Sequence, residues 1–393
     1  AFFHFSYLLA QSPRISGRVF DEVTNESLAF AHVGIIGTSI GTITNSNGQF
    51  SILIPEENVV NNLSFSYLGY TSKSISISDI PKNTDYQIGL KPQSTYLPDL
   101  VVKVKKKSII EEAIERITEN HDQENMRLSG FWRAQIKNQN RHIQLSETAY
   151  DIFRVDKKDA VKILKNRAQR DTAAFEQFRQ FNAGITPKGL VKSSFLEDTN
   201  ILSSKTRKNH TFDLVGASVY NDRPVFIVEF DRKKDSDKNG YKGTIYLDSE
   251  TLAFVKIKYS FSPSNSEQID LYGSRLLAKI TGLGESYWLS YLSDYNFKLY
   301  NGKWYLSHGV VDVAWYLIDN DETFKELVEY RGDLVITNID KGVVSLPSKD
   351  ERAGRGILVR QSQMGTGEFW EEYNYLVADE DFDRVFSEIQ KRN

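Results

Sequence analysis

Glycine and asparagine recur so regularly between Ser16 and Ile77 that almost every chain reversal can be located, and this spacing confines the region to a small β-sandwich. The stretch runs Ser16-Gly17-Arg18-Val19-Phe20-Asp21, then Ala31-His32-Val33-Gly34-Ile35, then Gly37-Thr38 and Gly41-Thr42, then Thr44 to Ile52, and closes with Ser66-Tyr67-Leu68-Gly69-Tyr70. Short β-prone runs separated by turn residues about every 8–12 positions are the mark of a sandwich. Asn47-Gly48 supplies the positive φ of a tight hairpin; Phe50, Ile52 and Ile54 then alternate onto one face until Pro55 ends the strand. His32 lies in the Val33, Ile35 strand, where a solitary histidine reads as a sheet residue rather than a ligand.

These runs resemble the carboxypeptidase-like regulatory domain, a transthyretin-like sandwich at the start of many envelope proteins of Bacteroidota-type bacteria. Its pattern is a G-x-V-x-D opening, an A-x-V-x-I strand, a G-T-x-x-G-T turn pair, a T-D-x-x-G-x-F hairpin and an S-Y-x-G-Y strand. Gly17 to Asp21, Ala31 to Ile35, Gly37 to Thr42, Thr44 to Phe50 and Ser66 to Tyr70 fill those places. Asn45 replaces the usual Asp, and Gly34 interrupts the second strand.

The chain has 393 residues, long enough for two or three cores at roughly 150 residues per domain. A net charge of −3 gives no general attraction to nucleic acid or acidic membranes. The 20 Tyr, 23 Phe and 5 Trp suit extensive β-surfaces. Without cysteine, disulfides, thiolate metal sites, cysteine nucleophiles and a lipidated cysteine are excluded for this sequence. Residues 1–10, ending Leu8-Leu9-Ala10, read as a signal-peptide remnant and point to export, to the periplasm or the outer membrane; an extra N-terminal strand is the alternative. No uninterrupted apolar run of ~18 residues is present, so no membrane-spanning helix is expected.

The expected organisation is a seven-strand sandwich over 13–92, a linker over 93–107 marked by Pro92, Pro98 and a lysine run at 103–107, and a larger domain over 108–393. The lysine run reads as a solvated linker rather than a phosphate-binding patch. Helices are expected at about 108–121, where Ser108 to Glu111 forms a capping box, at 157–181, from the spacing of Ile163, Leu164, Ala168, Phe175, Phe178 and Phe181, and at 379–391. Between Thr211 and Leu346 the pattern is a meander of strands, with Asn301-Gly302 its strongest hairpin signal.

Gly243 to Ile257 is similar to a hairpin of curved-sheet proteins related to outer-membrane lipoprotein carriers. That resemblance implies a curved antiparallel sheet, a half-barrel, around an apolar cavity that holds a lipid-like or peptide ligand. The residues themselves favour a sheet filled by its own aromatics or by a helix. Phe369-Trp370-Glu371-Glu372-Tyr373-Asn374 looks like a closing motif of such two-module chains, and the stripe Phe382, Val385, Phe386, Ile389 reads as core.

His121 and Glu124 have the H-x-x-E spacing of zinc carboxypeptidases, but a third ligand and an α/β scaffold are missing, so they are not assigned to a metal. Asp235, Asp237, Asn239 and Gly240 match half of a calcium loop whose twelfth position is Tyr246 rather than Glu, and read as an exposed turn. No nucleophile elbow, P-loop or dinucleotide fingerprint occurs. The chain is therefore expected to be mainly β, a transthyretin-like sandwich followed by a larger antiparallel curved-sheet α+β domain, with no catalytic, cofactor or metal residues. The expected role is non-catalytic binding or assembly at the outer membrane, with an envelope protein as partner and no nucleic acid. The alternatives are a hydrolase or carbohydrate-active enzyme with its site between Thr211 and Leu346, a purely structural envelope subunit, and a sugar-binding module.

Overall fold

The computed structural model describes residues 13–80, 85–93, 108–172, 174, 185–195, 200–236, 240–263, 269–270, 286–318, 325–354 and 370–393. The suggested leader at 1–10 and most of the linker at 93–107 lie outside them.

Seven strands build the N-terminal module: β1 (Arg14–Asp21), β2 (His32–Ile35), β3 (Gly41–Ile43), β4 (Gln49–Leu53), β5 (Asn62–Ser66), β6 (Lys73–Ser76) and β7 (Asp85–Leu90). They form a three-stranded sheet, β4-β1-β7, and a four-stranded sheet, β3-β2-β5-β6. Val19, Val33, Ile35, Phe50, Ile52, Leu63, Phe65 and Ile88 close the core. Gly48, at φ +75°, turns the chain before β4, and a Cβ there would stand 2.5 Å from the Val19 carbonyl oxygen, so no larger residue fits. The first and last motifs of the module meet: Tyr70 Oη donates to Asp21 Oδ2 at 2.7 Å, and Asp21 Oδ1 accepts the Val23 and Thr24 amides at 2.7 and 3.0 Å.

The second unit begins with α1 (Ile109–Glu115) and α2 (Ile117–Asn120), then β8 (Met126–Asn138), β9 (Arg141–Val155) and β10 (Lys158–Arg170). After α3 (Pro187–Ser194) come β11 (His210–Tyr220), β12 (Arg223–Arg232), β13 (Tyr241–Asp248), β14 (Phe254–Phe261), β15 (Ile269–Asp270), β16 (Ser286–Tyr300), β17 (Lys303–Ile318) and β18 (Lys325–Asp340), and finally α4 (Phe382–Lys391). One antiparallel sheet runs β10-β9-β8-β18-β17-β16-β14-β13-β12-β11, with β15 beside β16.

The helix expected over 157–181 is corrected: Lys158–Arg170 is the strand β10, paired with β9. Two local features disguise it. Asp156 and Lys157, at φ +50° and +61°, make a two-residue hairpin turn without glycine, and a bulge between Ile163 and Lys165 breaks the two-residue alternation. Ile163 and Ala168, five positions apart, therefore share one face while Leu164 takes the other, which mimics a helical spacing. Residues 175–181 of that span lie outside the described residues.

The two faces of the sheet are covered differently. On the first, Trp132, Tyr150, Val228, Ile245, Ile257, Phe297 and Ile336 pack with Ile110 of α1 and Leu190 and Val191 of α3 in one continuous core. On the second, Phe131, Ala149 and Val335 pack with Trp370, Leu376 and Ile43 of the sandwich, and Leu145 packs under α4. The sandwich is thus seated on the sheet rather than tethered at a distance.

Candidate functional site

The seam between sandwich and sheet is held by residues 370–379, which lie between the two and bond to both. From the sandwich, Arg14 Nη2 donates to the carbonyls of Trp370, Glu371 and Tyr373 at 3.3, 3.0 and 2.7 Å, and the Leu53 amide donates to Asn374 Oδ1 at 2.7 Å. From the sheet, Arg133 Nη2 donates to the Leu376 carbonyl at 2.6 Å. Beneath this strap, Arg133, Glu147 and Arg167 are register partners on β8, β9 and β10. Glu147 is fully buried and meets both guanidiniums at 2.6 Å. Burial pushes its carboxyl up, but the two arginines outweigh burial and hold it below its ordinary value.

Further along the seam, Ser39 Oγ accepts the Ile339 amide at 2.9 Å, and Lys298 Nζ donates to the carbonyls of Ser39 and Ile336 at 2.8 and 3.3 Å. Lys298 is buried, and burial lowers its ammonium to about 7. His308, wholly buried, places Nε2 3.3 Å from Asp333 Oδ1, and its ring stacks on Phe30 at 4.8 Å. Phe30 has φ +63°, a conformation costing a bulky residue ~1–3 kcal/mol. Its packing between His308 and the Arg331 guanidinium, 5.6 Å from the ring centroid, keeps it there.

Past Phe30 the two modules part and leave a cleft of about 290 Å³. This lies at the lower end of the ~300–1,000 Å³ typical of small-molecule sites. The sandwich contributes Phe30, His32, Ser66, Tyr67 and Leu68. The second face of the sheet supplies Tyr220 from β11, Thr244 and Tyr246 from β13, Lys256 and Lys258 from β14, and Asn296 from β16. Thr244 pairs with Lys258 and Tyr246 with Lys256 across the β13–β14 ladder, which puts all four side chains on one face. Lys256 is ion-paired with Asp294 at 3.0 Å. Burial pushes the Tyr220 phenol up to about 12; Tyr67 and Tyr246 are raised by burial and then by Asp294, so all three stay protonated donors near neutrality.

Gly34, the irregularity in the second strand, has its reason here. The His32 ring lies over Gly34 and Gly41, and a Cβ on Gly34 would come within 2.7 Å of its Cε1. Burial, then the nearby Lys298, lowers His32 to about 3, so the ring is neutral. Its Nε2 is buried and has no hydrogen-bond partner among the described residues.

The H-x-x-E spacing of His121 and Glu124 does not gather. His121 is buried between the rings of Phe254 and Phe297 and accepts the Phe254 amide at Nε2, 3.2 Å away, while the exposed Glu124 turns to Lys341 at 3.3 Å. Burial lowers His121 to about 4. A void of about 10 Å³ beside it, lined also by Phe195 and Trp304, has room for one water at most. Asp237 and Asn239 lie outside the described residues. Among the described residues no three acidic or histidine side chains converge as a metal site.

Comparison with known proteins bears on the first module. Residues 15–102 match the family model of the CarboxypepD_reg-like domain. No curated protein matches the chain. Among solved structures the chain is similar to a LolA superfamily protein from Nitrosomonas europaea, at 12% identity and TM-score 0.24, over 62% of this chain and 95% of that one. A DUF1329 family protein from Desulfovibrio piger follows at 9% identity and TM-score 0.24, over 60% of this chain and 93% of that one. Lipovitellin gives 10% identity and TM-score 0.26, over 62% of this chain and 28% of its own. Overlaps this loose carry no likeness of site. No helix among the described residues is long and apolar enough to cross a membrane.

Sequence reasoning missed the cleft. Its sheet wall was partly legible, since Lys256 and Lys258 alternate with core residues on β14, but its other wall comes from Tyr67 and Leu68, far away along the chain.

Proposed function

We propose that this chain is a non-catalytic binding protein of the cell envelope, and that its ligand site is the cleft between the sandwich and the second face of the sheet. One observation carries the reading: the cleft is large enough for a small molecule, and no carboxylate lines it among the described residues. The first face is occupied along most of its strands by α1, α3 and the sheet's own aromatics, the filled alternative that the sequence allows. A hydrolase working through two facing carboxylates finds no such pair in the cleft. The envelope setting is supported by the regulatory-domain module, which resembles those at the start of many envelope proteins.

Native mass spectrometry of the purified protein, with solvent extraction, tests the site. A small guest is expected in the parent protein and is lost in Thr244→Trp, which fills the cleft from a half-buried position. Repeated recovery of guest-free parent protein, or an equal guest load in the filled variant, would count against it.

A further inference from the structure

The chemistry of the cleft wall restricts what it can hold, and this step rests on the cleft being the ligand site. The wall is rich in hydrogen-bond donors. Lys256, Lys258 and the phenols of Tyr67, Tyr220 and Tyr246 all line it. The acceptors and smaller polar groups nearby are largely committed: Asn296 Nδ2 donates to Asp294 at 3.0 Å, and Ser307 Oγ donates to the Asn296 carbonyl at 2.9 Å. Asp294 neutralises Lys256. Lys258 is exposed at the rim, and the carboxylate across the ladder from it, Asp294, is ion-paired with Lys256. Glu229, exposed on β12, is felt at Tyr246 but does not line the cleft.

Beside these donors lies apolar surface, from Phe30, Leu68, Val255 and the tyrosine rings. A site with several donors, an exposed lysine at its rim and an apolar floor favours a guest that accepts hydrogen bonds at one end and is apolar at the other.

We infer that the cleft takes a small amphiphile bearing one oxyanion, a carboxylate or a phosphate, with the anion at Lys258 and Thr244 and the apolar body against Tyr246, Leu68 and Val255. The volume admits a short guest and excludes a long-chain lipid lying wholly inside.

Three probes of equal chain length separate the terms: octanoate, octyl phosphate and octanol, each titrated calorimetrically into the full-length protein. One or both anions are expected to bind about tenfold more tightly than octanol, to weaken as salt is raised, and to lose that preference in Lys258→Met. The stronger of the two identifies the oxyanion. Lys258 is exposed, so its substitution leaves the fold intact, and Thr244→Trp reports whether binding is in the cleft. If octanol binds as well as both anions, the ligand class is wrong while the cleft reading stands. If no probe binds and no natural guest is recovered from the parent protein, both fail. A preference that survives in Lys258→Met overturns the assignment of the anion to that lysine.

Discussion

Trp370 Nε1 donates to Glu147 Oε2 at 3.3 Å, which joins the first residue of the strap to the one carboxylate that also holds Arg133 and Arg167. Sheet and strap therefore share a single buried charge cluster, and the sandwich joins it only through the strap, by way of Arg14. Removing the carboxylate leaves Arg133 buried without its counter-ion and Arg167 with Asp383 alone, so Glu147→Ala is expected to destabilise the protein by ~3–5 kcal/mol. Urea unfolding followed by tryptophan fluorescence measures it, and limited proteolysis should show cleavage near residues 370–379 appearing at the same time. A loss below about 1 kcal/mol would mean that the cluster contributes little to holding the strap.

The contact between Asp21 and Tyr70 joins the opening and closing motifs of the sandwich. The hydrogen bond from Tyr70, followed by the Thr24 amide, holds the Asp21 carboxyl below its ordinary value. Tyr70→Phe and Asp21→Asn are each expected to lower the melting temperature, and the double variant to lower it by less than the sum, because both remove one bond. Additive losses would show that the two side chains act separately.

How much of this was legible depends on which turns carry glycine. Four hairpins of the large sheet turn through two residues at positive φ: Gln139-Asn140, Asp156-Lys157, Asn221-Asp222 and Asn301-Gly302. Only the last includes glycine, and it alone stood out from the sequence; Asp156-Lys157 was absorbed into an expected helix. The first strands and hairpin of the sandwich were readable because their reversals use Gly and Asn and the strands are short, whereas β6 and β7 carry no such signal and Tyr67 to Tyr70, expected as strand, turn the chain after β5. The closing motif at Trp370 was visible, but its task was not, since each of its partners is fixed by tertiary contact with residues hundreds of positions away.

Gly34 links the sandwich motif to the cleft. Gly34→Ala would drive a methyl into the His32 ring and is expected to cost ~1–3 kcal/mol, with most of the loss recovered when His32→Ala removes the ring. A double-mutant cycle by chemical denaturation reads the coupling. No recovery in the double variant would place the strain in the backbone instead.

Three buried histidines make the fold acid-sensitive. Burial, first among the causes at each, lowers His32 to about 3 and His121 and His142 to about 4. The unfolded chain takes up protons at these positions below about 6.5, whereas the folded protein does not, so stability present above that pH is lost as the pH falls toward 4. The urea midpoint at pH 5 should lie clearly below that at pH 7.5, with the difference reduced in His121→Gln. Equal midpoints in the parent protein would contradict neutral burial.

Lys298 gives the opposite edge of the pH range. Its folded ammonium is lowered from 10.5 to about 7 by burial, so between those values the unfolded chain holds a proton that the folded protein has released. Stability contributed by Lys298 therefore rises as pH climbs from 7 toward 10, by at most about 1.4 kcal/mol per pH unit. Lys298→Met removes the titration and also the bonds to the Ser39 and Ile336 carbonyls, so its stability should be flatter with pH even if lower throughout. The comparison of slopes rather than of absolute stabilities isolates the amine. Parallel pH profiles for the two proteins would show that Lys298 stays charged in the seam, with solvent or an unseen anion reaching it.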